Sequence, residues 1–251
     1  MYVDNLMATH ILILAAGEGS RLRNDTPKQF LEISGLPMVF HSVKMFRQII
    51  PDSIIHIALP KHYTSKWSDL CHKHKFKVSH NFYNGGNSRI ETVFIGLNKI
   101  NKGENIFTSS TIGIHDAARP FIKGGLIRKL LSSAKKYGSA VPYVTPNSAL
   151  FQFPKNDKKS CSITNRNDYA LIQTPQFFNF NQLFYSYSKV FSKFKTNDLS
   201  SIFLDDSSVY NYFKIHPKLQ FIKGDYSNLK ITTDADYFIA DKLYEYTKKT
   251  K

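Results

Sequence analysis

Apolar and polar positions fall into two alternating patterns along the chain. Apolar runs occur at Ile11–Leu14, Ile54–Leu59 and Ile112–Ile114, with a further strand-like stretch at Ser139–Val144. Their length and β-branched content read as buried strands. Between them, apolar residues recur at helical spacing. Val39, Val43, Met45, Phe46 and Ile49 do so within 37–50, Val93, Ile95, Leu97 and Ile100 after Ser88, and Leu126, Ile127, Leu130, Leu131 and Ala134 within 124–137. Further helices are expected over 61–74, from Asn181 to Phe191, and from Thr233 to about Tyr246. The punctuation agrees. Pro37 suits a first helical position, Ser88 and Glu91 have capping-box spacing, and Gly138 follows a helix as a stop. Strands alternating with amphipathic helices predict an α/β fold, a three-layer αβα sandwich around a mostly parallel twisted sheet. Thr145–Asp168 loses periodicity and gathers Pro, Asn, Lys and Ser, over a length too great for an idle connection.

Composition narrows the class. A chain of 251 residues, 42% apolar, suits one large domain with a substantial core. No apolar run approaches the roughly 20 residues of a membrane span, and Met1–His10 lacks the pattern of a secretory signal. The two cysteines, Cys71 and Cys161, have no metal-type spacing and are expected as free thiols in a reducing cytoplasm. His62, His72 and His74 lie near Cys71, but without a second set of ligands they read as a surface cluster. The net charge of +15 comes from lysines scattered along the chain, not from a basic helix. A basic surface and an anionic substrate account for it better than nucleic-acid binding.

The stretch Ile11–Gln29 carries the first chemistry. A buried strand stops at Ala15-Ala16-Gly17, a loop with Gly17 and Gly19 follows, and Arg21 and Lys28 stand just beyond. Small residues let backbone N–H groups approach a phosphate chain, and the cations take up its charge. The same glycines could serve only the turn. The dinucleotide fingerprint fails because Leu22 stands at its third small position, and no Walker loop occurs. At Asn84–Arg89, a Gly85-Gly86 turn leads into a helix, which is either a well-capped start or a grip on a nucleotide. At Ile112–Pro120, a strand carries Asp116 to its carboxyl end. There it could bind Mg²⁺ shared with phosphates, or cap the next turn beside Arg119. The pair Asp205-Asp206 reads first as a helix N-terminus.

A-A-G-x-G-x-R followed by P-K-Q resembles the pyrophosphorylase-type nucleotidyltransferases. The P-K-Q spacing narrows this to the group containing 2-C-methyl-D-erythritol 4-phosphate cytidylyltransferase and ribitol-5-phosphate cytidylyltransferase. The family's G-G-x-x-R-x-x-S/T is matched by Gly85, Gly86, Arg89 and Thr92, with Asn87 where many members carry Asp or Glu. H-D-A-A-R-P is matched at 115–120, and Leu171–Phe178 is similar to the T-P-Q-x-F segment. Leu204–Ser208 resembles T-D-D/E-A-S with Leu204 in place of Thr, and Asn228, Lys230 and Thr232 match N-x-K-x-T. The family's Asp-Thr after the preceding strand is replaced by Thr145-Pro146.

The resemblance implies a nucleotide-diphospho-sugar transferase-like sandwich over the single domain 1–251. It also implies a homodimer whose β-arm, 145–168, hooks around the other subunit. The implied reaction is attack of an alditol phosphate on the α-phosphorus of CTP with release of pyrophosphate, and no nucleic acid or membrane partner is expected. Ala15, Ala16, Gly17, Gly19, Gly85, Gly86, Asn87, Arg89, Thr92 and Ala117 would hold CTP. Arg21, Lys28 and Lys230 would be catalytic, and Asp116 would bind Mg²⁺. Arg119, Arg166, Thr174 and Asp205 would contact the acceptor, Arg166 from the partner's arm. The run from Ala170 to Phe178 and the D-D-S-S pattern favour methylerythritol phosphate as acceptor. Thr145-Pro146 and Leu204 keep ribitol 5-phosphate open. The other class in play is a basic binding module without catalysis.

Overall fold

The computed structural model describes residues 8–17, 27–103, 109–154 and 160–249. Its strands are β1 (Thr9–Leu14), β2 (Glu32–Ile33), β3 (Leu36–Pro37), β4 (Ile54–Leu59), β5 (Asn81–Asn84), β6 (Thr111–Asp116), β7 (Ser139–Val144), β8 (Leu150–Gln152), β9 (Ser162–Thr164), β10 (Leu171–Ile172), β11 (Gln176–Asn179) and β12 (Phe221–Lys223). Its helices are α1 (Met38–Ile49), α2 (Trp67–Lys73), α3 (Arg89–Gly103), α4 (Gly124–Tyr137), α5 (Phe180–Lys193), α6 (Leu199–Ile202), α7 (Asp206–Tyr212), α8 (Asp234–Phe238) and α9 (Ala240–Lys249).

The central sheet runs β10-β7-β11-β6-β1-β4-β5, with β12 beside β7. The half formed by β6, β1, β4 and β5 is parallel throughout, and β12 joins β7 in parallel. β11 lies antiparallel between β6 and β7. Alternation along β1 builds the layers. Ile11 and Ile13 pack with Val39, Val43 and Phe46 of α1 and Ile127 and Leu130 of α4. Leu12 packs on the opposite face with Val93 and Leu97 of α3 and Leu183, Tyr187 and Val190 of α5. A strand whose neighbouring side chains are all buried, on both faces, belongs at the centre of an α/β sheet.

Local signals place most boundaries. α4 ends at Gly138, whose φ of +88° is left-handed and suits glycine. Pro37 precedes α1 and pairs with β2, so the helix starts one residue later than expected. The helix expected over 61–74 is broken into a single turn at Lys61–Tyr63 and then α2. The terminal helix is likewise split at Ile239 into α8 and α9. Only half of the expected capping box forms at α3. The Glu91 N–H donates to Ser88 Oγ at 3.2 Å, while the Glu91 carboxylate accepts from the Asn87 N–H at 2.7 Å. The aperiodic 145–168 segment contains a hairpin, with β8 and β9 antiparallel.

Two histidines lie buried side by side on neighbouring strands, with His10 Nδ1 3.4 Å from His56 Nε2. Burial lowers His10 to about 4. Burial, and then the neighbouring His10, lowers His56 to about 3. Both folded values lie below the unfolded one near 6.5, so the unfolded chain binds more protons between them. The stabilisation is complete above pH 6.5 and is lost as pH falls toward 4. Urea denaturation at pH 7 and pH 4.5 is expected to differ by roughly 3 kcal/mol or more, because each tenfold loss of proton affinity on folding is worth about 1.4 kcal/mol. A flat profile between pH 7 and 5 would show that the pair does not resist protonation.

Candidate functional site

The carboxyl ends of the parallel strands meet at one edge of the sheet, where Leu14 is level with Asp116 on one side and Ala58 on the other. From β1 the chain winds outward to β4 and β5, whereas β6 lies on the other side. That reversal is where α/β sheets open a crevice. A cleft of about 700 Å³ lies there, lined by the segments following β1, β4, β5 and β6 together with Lys28 and Lys230.

The β1 segment is shaped by Gln29. Its amide Nε2 donates to the Ala15 carbonyl at 2.6 Å and the Gly17 carbonyl at 3.0 Å, and the residue is 2% exposed. The Ala15 N–H donates to the Ala58 carbonyl at 2.9 Å. The β5 turn abuts this segment. A Cβ on Gly85 would collide with the Cβ of Ala16, so this close approach requires glycine. Thr92 Oγ1 accepts from the Gly86 N–H at 3.0 Å, which ties the turn to the first turn of α3.

Asp116 is the one carboxylate among the described residues that line the cleft. Arg89 Nε lies 3.3 Å from its Oδ1 and Lys230 Nζ lies 2.8 Å from its Oδ2. Burial alone would raise this carboxyl, but Arg89, Lys230 and Arg119 outweigh it and hold it far below the usual carboxylate range. Arg89 is shared. Its Nη1 and Nη2 donate to the two oxygens of Asp206 at 3.1 and 2.7 Å, and Tyr187 Oη donates to Asp206 at 2.6 Å. Burial opposes the Arg89 charge, yet Asp206 and Asp116 together raise its pKa well above the usual value. Lys230 is placed from behind. The Ile231 N–H donates to the Ala118 carbonyl at 2.8 Å, and the Asn228 amide donates to the Thr174 carbonyl at 2.8 Å.

Most of the residues predicted from sequence converge here. Ala15, Ala16, Gly17, Lys28, Gly85, Gly86, Asn87, Arg89, Thr92, Asp116 and Lys230 all line the cleft. Gly19 and Arg21 lie outside the described residues. Four others are not among the residues that line the cleft. Ala117 is 1% exposed and its N–H is held by the Leu14 carbonyl, so the adjacent Ala118 lines the cleft instead. Arg119 turns behind Asp116 and donates to the Asn228 carbonyl at 2.8 Å. The Thr174 hydroxyl accepts from the Asp116 N–H at 3.0 Å and lies 3.2 Å from His115 Nδ1, so it braces the strand tip. Asp205 caps α7, accepting from the Ser208 N–H, Gln176 Nε2 and Ser207 Oγ, which leaves its carboxylate committed to the fold. Arg166 lies at the base of the arm with Nη1 on the Asn147 carbonyl, away from this cleft. Sequence reasoning misses Gln29 and Asp206 as site-forming residues. Gln29 sits within the P-K-Q motif, whereas burial of Asp206 has no sequence signature.

Among the described residues, no group of three or more His, Cys, Asp or Glu side chains converges as a metal site. Asp116 is a single carboxylate among the described residues of the cleft. It does suit Mg²⁺ arriving with phosphates, because that ion commonly takes one or two protein carboxylates and completes its shell with phosphate oxygens and water. No helix among the described residues is long and apolar enough to cross a membrane.

Comparison with known proteins agrees with this architecture. A solved 4-diphosphocytidyl-2C-methyl-D-erythritol synthase from Anaerococcus prevotii superposes with a TM-score of 0.77 at 23% identity, covering 95% of this chain and 96% of that one. A Thermus thermophilus 2-C-methyl-D-erythritol 4-phosphate cytidylyltransferase superposes with a TM-score of 0.73 at 23% identity, covering 95% and 100%. In sequence, the chain is 31% identical over 237 residues to the Bacteroides thetaiotaomicron 2-C-methyl-D-erythritol 4-phosphate cytidylyltransferase, covering 94% of this chain and all of the relative. The protein of that name from Clostridium botulinum is 31% identical over 240 residues, with 94% and 96% covered. The family model for 2-C-methyl-D-erythritol 4-phosphate cytidylyltransferase matches residues 9–245, and the chain belongs to that family.

Proposed function

We propose that the protein transfers CMP from CTP to 2-C-methyl-D-erythritol 4-phosphate and releases pyrophosphate. The observation that carries this reading is the single cleft in which Arg89 and Lys230 flank Asp116, lined also by Lys28, the small-residue loop of β1 and the glycine turn of β5, in a chain of this family. The acceptor's phosphate oxygen forms a bond to the α-phosphorus as the bond to the pyrophosphate oxygen breaks. A phosphate monoester has a second pKa of about 6 and arrives largely ionised, so no side chain has to remove a proton. The protein's work is positioning and charge neutralisation. The loop N–H groups and Lys28 would receive the triphosphate, with Arg21 beyond them. Gly85, Gly86, Asn87 and the start of α3 would hold the nucleoside. Lys230 would meet the developing charge, and Asp116 and the phosphates would hold Mg²⁺, which neutralises charge between phosphate oxygens. The test is the purified protein with CTP and Mg²⁺, offered methylerythritol phosphate and ribitol 5-phosphate in parallel. CDP-methylerythritol and pyrophosphate are the expected products. Turnover of ribitol 5-phosphate alone, or of neither acceptor, would overturn the reading.

The arm supports a composite site in a two-fold dimer. β8 and β9 expose Phe151 and Ile163, the latter 83% exposed, beside Phe153 and Tyr169 at the ends of the hairpin. A lone two-stranded ribbon carrying such side chains is marginal in water and gains stability by packing on a partner. Arg166, at the base of this arm, would then serve the other subunit's acceptor phosphate through its planar fork. Arg166→Ala is expected to raise the acceptor KM strongly while CTP affinity stays near normal. An Arg166→Ala subunit mixed with an Asp116→Asn subunit should regain activity, since some heterodimers carry one intact site. No recovery after verified subunit exchange would refute the shared site.

A further inference from the structure

The segment after β4 reads in sequence as the start of a helix, yet it forms part of the cleft. β4 lies between β1 and β5, and its last carbonyls hold both flanking loops. Ala58 accepts from the Ala15 N–H at 2.9 Å and Leu59 accepts from the Gly85 N–H at 2.8 Å. The next three residues, Pro60-Lys61-His62, leave the sheet at the same edge, and all three line the cleft. The turn is fixed on both sides. Tyr63 stacks on Phe30, next to the Lys28 turn, with ring centroids 4.6 Å apart and planes 16° apart. Thr64 Oγ1 donates to the Asn84 side chain at the end of β5. Lys61 and His62 are exposed, and neither has an acidic partner among the described residues. Arg89 and Lys230, by contrast, have their charge matched by Asp116 and Asp206.

We propose that Lys61 and His62 form a second basic wall of the cleft, on the turn packed beside the Lys28 turn, and bind the phosphate chain of the nucleotide. The proposal rests on the nucleotidyl-transfer reading and adds binding residues to it. A cation anchored on a short rigid turn, facing a cleft that must take up a triphosphate, contributes a charge-assisted contact without competing for the fold's own carboxylates. The contact is made with the phosphates in the ground state as well as during transfer, so it should appear in KM more than in kcat.

The experiment compares Lys61→Ala, His62→Ala and the double variant with wild type. Lys77→Ala, an exposed change outside the cleft, controls for lost charge. The CTP KM is expected to rise about fivefold to tenfold for Lys61→Ala and further in the double variant, with kcat within about twofold and the acceptor KM unchanged. Direct titration with inorganic pyrophosphate alone should weaken by a similar factor, while cytidine binding should not change. An unchanged CTP KM and unchanged pyrophosphate binding would overturn the proposal, as would an equal loss in Lys77→Ala. Weakened cytidine binding with unaltered pyrophosphate binding would reassign the wall to the base and refute a phosphate contact. Failure of the wild-type protein to make any CDP product would refute the nucleotidyl-transfer reading instead, and the pyrophosphate titration would still decide the role of Lys61 and His62.

Discussion

Asp116→Asn is expected to lower turnover by about 1,000-fold or more in a protein that remains folded. The reason is the arrangement of charge. In the described hydrogen bonds the Asp116 carboxylate serves no N–H group of the following turn and holds Arg89 and Lys230 instead. Asparagine keeps the shape but loses the charge, and it turns an N–H₂ toward one of two cations. The fold tolerates this better than catalysis does, because Arg89 retains Asp206 and Lys230, 40% exposed, can turn to water. The stability loss should be about 1–3 kcal/mol, below the cost of stranding a fully buried charge. Steady-state kinetics with a thermal melt on the same preparation separates the two effects. Turnover within tenfold of wild type in a folded variant would remove Asp116 from the chemistry. Unfolding would make the residue chiefly structural.

Asp206→Ala should produce the largest loss of stability. Asp206 is fully buried, and the change removes both partners of the Arg89 fork together with the acceptor for Tyr187. Breaking a buried pair by deleting one member costs about 3–5 kcal/mol, or roughly 10 °C in Tm for a chain of this size. Turnover should fall as well, by about 100-fold, because Arg89 would then claim Asp116 for itself. The double variant Asp206→Ala, Arg89→Met distinguishes these effects. Removing the stranded cation should restore about 2 kcal/mol of stability without restoring turnover. A single variant as stable as wild type, or a double variant that is active, would contradict this account.

Local chemistry is what the sequence makes legible. Apolar runs mark β1, β4, β6 and β7, and Gly138 ends α4 where a left-handed residue is needed. The glycine turn, the Asp at a strand tip and the late lysine each follow a recognisable pattern, and all three line one cleft. Depth is not legible. Asp205 and Asp206 are adjacent and chemically alike, yet one caps a helix and the other is buried beneath Arg89. Arg119 and Thr174 look exposed in motif form but turn inward, one to the Asn228 carbonyl and one to the Asp116 N–H. Lys61 and His62 resemble any surface pair until the strand order puts β4 between β1 and β5. Which side of a strand end faces the ligand is a property of the sheet's path, and no window of neighbouring residues contains it.

The Gln29 amide has a consequence for the loop's polarity. By occupying the carbonyls of both Ala15 and Gly17, one side chain turns the negative ends of those two peptide groups inward. A peptide dipole aimed at an anion repels or attracts it according to which end leads, and a short glycine-rich stretch can present either. With the oxygens sequestered beneath it, the loop cannot rotate to show them to a phosphate without abandoning a buried hydrogen-bond donor. The first stretch of the cleft is thereby biased toward anions before any ligand arrives. The device carries no formal charge, so neither salt nor pH within the physiological range would erode it.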